Sequence, residues 1–254
     1  MNNFNQQFPP NNYNQGNNTA NQGNVTGVMA KTFMANVFAW MFGALMITAI
    51  TAYLFGTMDS LLQLLIVEKA NGRLGMSTLG WVVMLAPLGL VLLMSLGYQK
   101  LSRPVLAAVF ILYSALLGMS LSFIFLTYTA GSIYATFGIA AGMFGVMAVL
   151  GYTTNLDLTK FGAMLYMFLG GMVIAMIVNW FMHSETLYYL ISFAGVAIFT
   201  GLTAYDVQKL KRIGMGMEHG SHEAGKLSIM GALTLYLDFI NLFLFLLRLL
   251  GNRK

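Results

Sequence analysis

Seven stretches of this chain are too long and too apolar to belong to a water-soluble fold. They cover residues 33–55, 79–97, 104–128, 133–152, 161–182, 187–205 and 229–250, and the shortest has 19 residues. A helix rises 1.5 Å per residue, so each is long enough to cross a hydrocarbon layer of ~30 Å. In lipid every backbone N–H and C=O must be satisfied within the chain, which leaves helices as the spanning elements for segments of this length. The expected class is therefore all-α integral membrane, a seven-transmembrane-helix bundle. Composition agrees: 8% of residues are charged, against about 25% in an average soluble domain.

The connections at 98–103, 129–132, 153–160 and 183–186 are short, so consecutive helices should be antiparallel neighbours. Two longer connections, 56–78 and 206–228, remain. The first carries "LLQLLIV", which is too short to span and is expected at the interface. Residues 1–27 form a separate region in which 14 of 27 positions are Asn or Gln and none is charged. So little apolar surface cannot offset ordering entropy, and a disordered tail is expected ahead of a membrane domain over 28–254. That polar opening has no basic segment followed by an apolar core, so no cleavable signal is expected.

Basic residues set the orientation. Lys31, Lys100, Arg103, Lys160, Lys209, Lys211, Arg212 and Lys226 fall on one side, eight against five on the other. The positive-inside rule then places the N-terminus in the cytoplasm. This spread over loops explains the net charge of +5 without nucleic acid, which would call for a basic patch with interleaved aromatics. The absence of cysteine excludes disulfides, thiolate metal sites and cysteine nucleophiles. Glycines at 138, 142 and 145, and the pair 170–171, are expected to let helices approach closely.

Of eight acids, six fall in loops. Asp206 closes the sixth segment in "FTGLTAYDVQKLKR", and Asp238 lies inside the seventh, "LTLYLDFINLFLFLLRLL". An acid at the centre of a membrane helix costs roughly 2.5–3.5 kcal/mol, so Asp238 marks a functional position. The sixth segment ends, and the seventh begins, on the same side. If the two carboxyl groups meet in a low dielectric they cannot both ionise cheaply, and they can share one proton. Such a pair is a proton-sensitive latch, and ionised it attracts hard cations, which prefer oxygen ligands. Asn241, one turn beyond Asp238, is a polar companion for it.

No catalytic constellation is evident, and no enzyme or cofactor is expected. No lysine lies inside a span, which removes a Schiff base. Ser120 in "GMSLS" has no buried base, because His183, His219 and His222 lie in loops. The histidines of "MEHGSHEAGK" read as a solvated linker rather than a metal site. An intramembrane aspartyl protease would need a Gly-x-Gly before its second aspartate, and Asp238 follows Leu-Tyr-Leu.

With "TGLTAYDVQKLK" at 200–211 and "ALTLYLDFINLFLFLLRLLG" at 232–251, the chain resembles the transmembrane Bax-inhibitor-motif family, in a bacterial-type member. The resemblance implies a multi-pass protein of the cell (inner) membrane in which six helices surround a central seventh. It also implies a pH-sensitive cation leak, for calcium, gated by the aspartate pair carried over onto Asp206 and Asp238. These two would hold calcium transiently, with protons and the bilayer as the other partners. A latching cation at the end of the second helix corresponds to Lys100, with Arg103 nearby. The alternative is a non-transporting regulator that binds a membrane protease or stress-response complex.

Overall fold

A computed structural model describes residues 15–68, 74–217 and 222–254. The expectation of a disordered tail lies outside the described residues as far as position 14. The elements are α1 (Gln15–Thr57), α2 (Asp59–Leu65), β1 (Ile66–Glu68), β2 (Leu74–Met76), α3 (Thr78–Gly97), α4 (Arg103–Leu121), α5 (Ile124–Thr127), α6 (Ala130–Thr153), α7 (Thr159–Met182), α8 (Glu185–Met215) and α9 (His222–Leu250). Among the described residues, seven helical spans are long and apolar enough to cross a membrane: Gly27–Thr57, Thr78–Gly97, Arg103–Thr127, Ala130–Thr153, Thr159–Met182, Glu185–Met215 and Glu223–Leu250. The third is interrupted at Ser122–Phe123, where α4 gives way to α5. "LLQLLIV" folds into α2 and the first strand of a small antiparallel hairpin, anchored where Ser77 donates its backbone N–H to Leu65.

The seventh span is the central one. In its most apolar window 72% of residues are buried, against 17–50% in the other six. α9 packs against α1, α4, α6 and α8, while α3 leans on α4, and α7 leans on α8 and stands off α9. The ring around the central helix is therefore incomplete. Its gap is marked by a stripe of half-buried residues on α9: Met230, Thr234, Leu237, Asn241, Leu244 and Arg248. These recur every three or four positions, one face of a helix.

The opposite face of α9 is held by a buried polar knot. Thr48 Oγ1 lies 2.9 Å from the carbonyl oxygens of Ala44 and Ser114, and 2.6 Å from the Tyr236 hydroxyl. A hydroxyl has one hydrogen to give, and both carbonyls can only accept. Tyr236 therefore donates to Thr48, joining α1, α4 and α9. Phe110 and Tyr113 of α4 close edge-on around the Tyr236 ring, at centroid distances of 5.9 and 5.8 Å.

The expected packing glycines are not those used. Among the described residues nothing lies within contact of a Cβ position at Gly138, Gly142, Gly145, Gly170 or Gly171, whose faces of α6 and α7 point outward. Close approach occurs instead at Gly118, against Thr48 and Thr51 of α1, and at Gly151, against the backbone of Ala204 in α8. A Cβ at 151 would collide with the Ala204 carbonyl, which no side-chain rotation can relieve. Gly151→Ala is expected to cost about 1–3 kcal/mol as an overpacked contact. Gly142→Ala should be neutral or slightly stabilising, since Ala is the better helix former by about 1 kcal/mol. Thermal unfolding of the two variants in detergent checks the contrast, and equal midpoints would show the α6–α8 contact to be misplaced.

Candidate functional site

Asp206 does not close its helix. α8 continues for nine further residues, to Met215, and the expected 206–228 loop shrinks accordingly. The reason lies in "VQKLKRIGM". Val207, Leu210 and Gly214 form a buried stripe, with Gly214 against Phe33 and Ala30 of α1, while the polar residues find partners. Gln208 accepts from the Leu158 N–H at 3.0 Å and donates to the Leu156 carbonyl at 2.7 Å. Lys211 donates to the Tyr152 carbonyl at the end of α6, at 2.7 Å. Helix propensity and a satisfied polar face carry the helix through a stretch that hydropathy alone reads as loop. Asp206 is thereby mid-helix and 1% exposed.

α9 likewise begins earlier than the apolar run, at His222, so Asp238 lies deeper along its helix. It is 5% exposed, and its carboxyl group lies close enough to that of Asp206 for the two to interact directly. Oδ2 of Asp238 is buried and receives no hydrogen bond from an N–H or O–H among the described residues. Two acceptors in contact need a donor between them, and a proton on one carboxyl group is the simplest one.

A third residue completes the site. Tyr166 of α7 donates its hydroxyl to Asp206, 3.2 Å from each carboxylate oxygen. One turn earlier, Gly162 lets the Tyr205 ring lie directly on α7, and the two tyrosine rings meet edge-on at 6.1 Å. Sequence reasoning missed Tyr166. The available signal was a hydroxyl inside an apolar span, which must find an acceptor.

Asn241 lines the same cleft as Asp238, but its amide donates to the Leu237 carbonyl of its own helix at 2.8 Å. Lys100 and Arg103 are not brought to the pair. Arg103 lies against Gly225 at the start of α9, thirteen residues or about 20 Å from Asp238. Neither makes an ion pair with an aspartate among the described residues. The basic residue nearest Asp206 along α8 is Lys209, three residues on, whose ammonium group lies 6.0 Å from the centre of the Tyr205 ring. The one ion pair among the described residues joins Arg212 to Asp157 at 2.8 Å, in the α6–α7 loop. Hydrogen bonds from Thr159, then Arg212, hold the exposed Asp157 down to about 2. Its contribution to stability is present above the ordinary carboxylate range and fades only as pH falls toward 2, so Asp157 stays ionised at neutral and mildly acid pH.

No group of three or more His, Cys, Asp or Glu suited to a metal occurs among the described residues, so any cation held here would be bound by two carboxyl groups and passing water. The expected linker histidines of 217–226 lie partly outside the described residues, which omit 218–221.

A central helix, its acid buried against a second acid on α8 with a tyrosine of α7 closing the group, defines an all-α integral membrane bundle with a protonatable core. The sequence model described as inhibitor of apoptosis-promoting Bax1 matches residues 30–254, and the chain belongs to that family, as the two motifs implied. It is 46% identical to the inner membrane protein YbhL of Escherichia coli K12 over 225 residues, 88% of this chain and 93% of that protein. An uncharacterized protein of Borreliella burgdorferi is 44% identical over 87% of this chain and 92% of its own.

Proposed function

We propose that the protein is a multi-pass inner membrane protein, N-terminus cytoplasmic, that lets cations, calcium above all, leak through the bundle under control of the Asp206–Asp238 pair. The observation that carries this reading is two buried carboxyl groups set beside each other with, among the described residues, no ion-pair partner and one unsatisfied oxygen. With a proton between them the acids hold α8 to α9. Without it two like charges face each other. Two unit charges 4 Å apart repel by about 4 kcal/mol at an effective dielectric of ~20. Inverting a two-state equilibrium from 1:99 to 99:1 takes about 5.5 kcal/mol, so this repulsion covers most of such an inversion and shifts the equilibrium by roughly a thousandfold. The ionised pair is also an oxygen-rich site of the kind hard cations prefer.

Purified protein in calcium-loaded liposomes tests the reading. Efflux well above that of empty liposomes, changing by at least about tenfold across the neutral-to-acid range, is expected, since 1.4 kcal/mol of the repulsion suffices for that swing. Folded protein that passes no calcium at any pH would sink the leak and leave a non-transporting regulator of a membrane protease or stress-response complex as the reading to pursue.

A further inference from the structure

The gap beside the central helix is a cleft of ≈ 410 Å³ between α7, α8 and α9. Along α9 it runs from Arg248 past Asp238 to Thr234, and Arg248 and Asp238 are ten residues or about 15 Å apart. Between Arg248 and Asn241 the wall is apolar on all three helices, lined by Met172, Val173 and Met176 of α7, Phe199 of α8, and Leu244 and Phe245 of α9. Polar groups gather only toward the deep end, at Asn241, Asp238, Thr234 and Tyr166.

Arg248 is not alone at the shallow end. The C-terminal residues fold back onto the start of α6, where Thr129 donates to Asn252 at 3.0 Å and Asn252 donates to Ser132 at 3.0 Å. This seats Arg253 beside Tyr188 of α8. The Arg248 and Arg253 guanidinium groups both lie 5.7 Å from the centre of the Tyr188 ring, and Arg253 donates to its hydroxyl at 3.3 Å. Neither arginine has a carboxylate partner among the described residues. Two unneutralised guanidiniums gathered on one aromatic ring, with planar donor forks, form a receptor for an anion such as a phosphate.

We infer that this cleft binds an anionic phospholipid, its phosphate on Arg248 and Arg253 and one acyl chain along the apolar wall toward Asp238. The lengths match: one leaflet is about half of a ~30 Å hydrocarbon core, the same ~15 Å that separates Arg248 from Asp238. The position matches too, since Arg248 is two residues from the end of a spanning helix, where headgroups lie. α7 stands off α9 along the cleft, so a chain can enter sideways from the bilayer. A second arginine beside the first favours an anionic lipid over a zwitterionic one, whose ammonium would face like charge. A chain seated here would cover Asp238 from the bilayer side. Any effect of that cover on calcium flux rests on the leak reading, whereas occupancy does not.

Because the chain has no cysteine, a single one can be introduced for a fluorescent label. Val173→Cys places it in the cleft, 44% exposed, and Ile139→Cys places it nine residues from the same end of α6, 46% exposed and outside the cleft. Each labelled protein is reconstituted in phosphatidylcholine containing a small fraction of phosphatidylglycerol with brominated acyl chains, which quench on contact. Quenching at position 173 is expected to report about a tenfold preference for the brominated lipid, and quenching at 139 none, given the attraction of two basic side chains. Arg248→Gln with Arg253→Gln should abolish the excess, and Arg248→Lys with Arg253→Lys should retain it. Equal quenching at the two positions, or an excess that survives the Gln pair, overturns the inference. An excess abolished by inorganic phosphate assigns the arginines to a soluble anion and overturns it as well. Calcium flux enters none of these readouts, so the lipid site and the leak can fail separately.

Discussion

Asp238→Asn is expected to leave the bundle as stable as the wild type, within about 1 kcal/mol, while flattening the pH dependence of calcium efflux. The asparagine amide can donate permanently to the Asp206 carboxylate, in the place that the proposed gate gives to a proton. The α8–α9 contact is then held at every pH by a donor that does not titrate. Other groups could produce a pH response in the same range, and the variant separates them. Histidine is the residue type that changes charge near neutral pH, and His183, His219 and His222 lie outside the apolar runs of the spans, so a response that they carry would persist in Asp238→Asn. Asp157 is already excluded, because it is held down to about 2. Efflux from liposomes at matched protein density, with thermal unfolding measured alongside, decides the matter. A variant that unfolds normally and keeps the full wild-type profile would remove the aspartate pair from the gate.

How much of this was legible in the sequence follows the physics of each signal. The seven spans are read almost directly, because lipid exposure demands an unbroken apolar run and nothing else in the chain resembles one. Both aspartates stand out for the same reason: an acid inside such a run is expensive. The ends of α8 and α9 were read too short because both helices leave the hydrocarbon as amphipathic extensions. There Val207, Leu210 and Gly214 are buried, Lys211 is satisfied by the end of α6, and Arg212 by the α6–α7 loop. Hydropathy averages such a stretch to loop. Relations between helices are the least legible. Whether a glycine meets a neighbour depends on the rotation of its helix, so Gly142 faces outward while Gly151, on the same helix, meets Ala204. Tyr166 reaches Asp206 only because Gly162 sets the register of α7 on α8, a coincidence that one sequence does not encode in any local pattern.

Tyr236→Ala is expected to produce the largest loss of stability of any single change considered, about 3–5 kcal/mol, in line with other aromatic truncations in packed cores. The side chain is fully buried, clasped by Phe110 and Tyr113 and bonded to Thr48, so its removal leaves a cavity and takes away the donor to the Thr48 hydroxyl where three helices meet. Tyr236→Phe keeps the ring and loses only the hydrogen bond, for about 1 kcal/mol. The contrast with Asp238 is the point of the measurement. Two residues apart on a helix of 3.6 residues per turn, the side chains point about 200° apart. Tyr236 faces α1 and α4, and Asp238 faces α8 and the cleft. Tyr236→Phe should therefore lower the unfolding midpoint and leave the pH profile of efflux in place, while Asp238→Asn should do the reverse. If Tyr236→Phe flattens the pH profile as well, the two faces of α9 do not act independently, and the pH response belongs to the packing of the whole helix rather than to the acid pair.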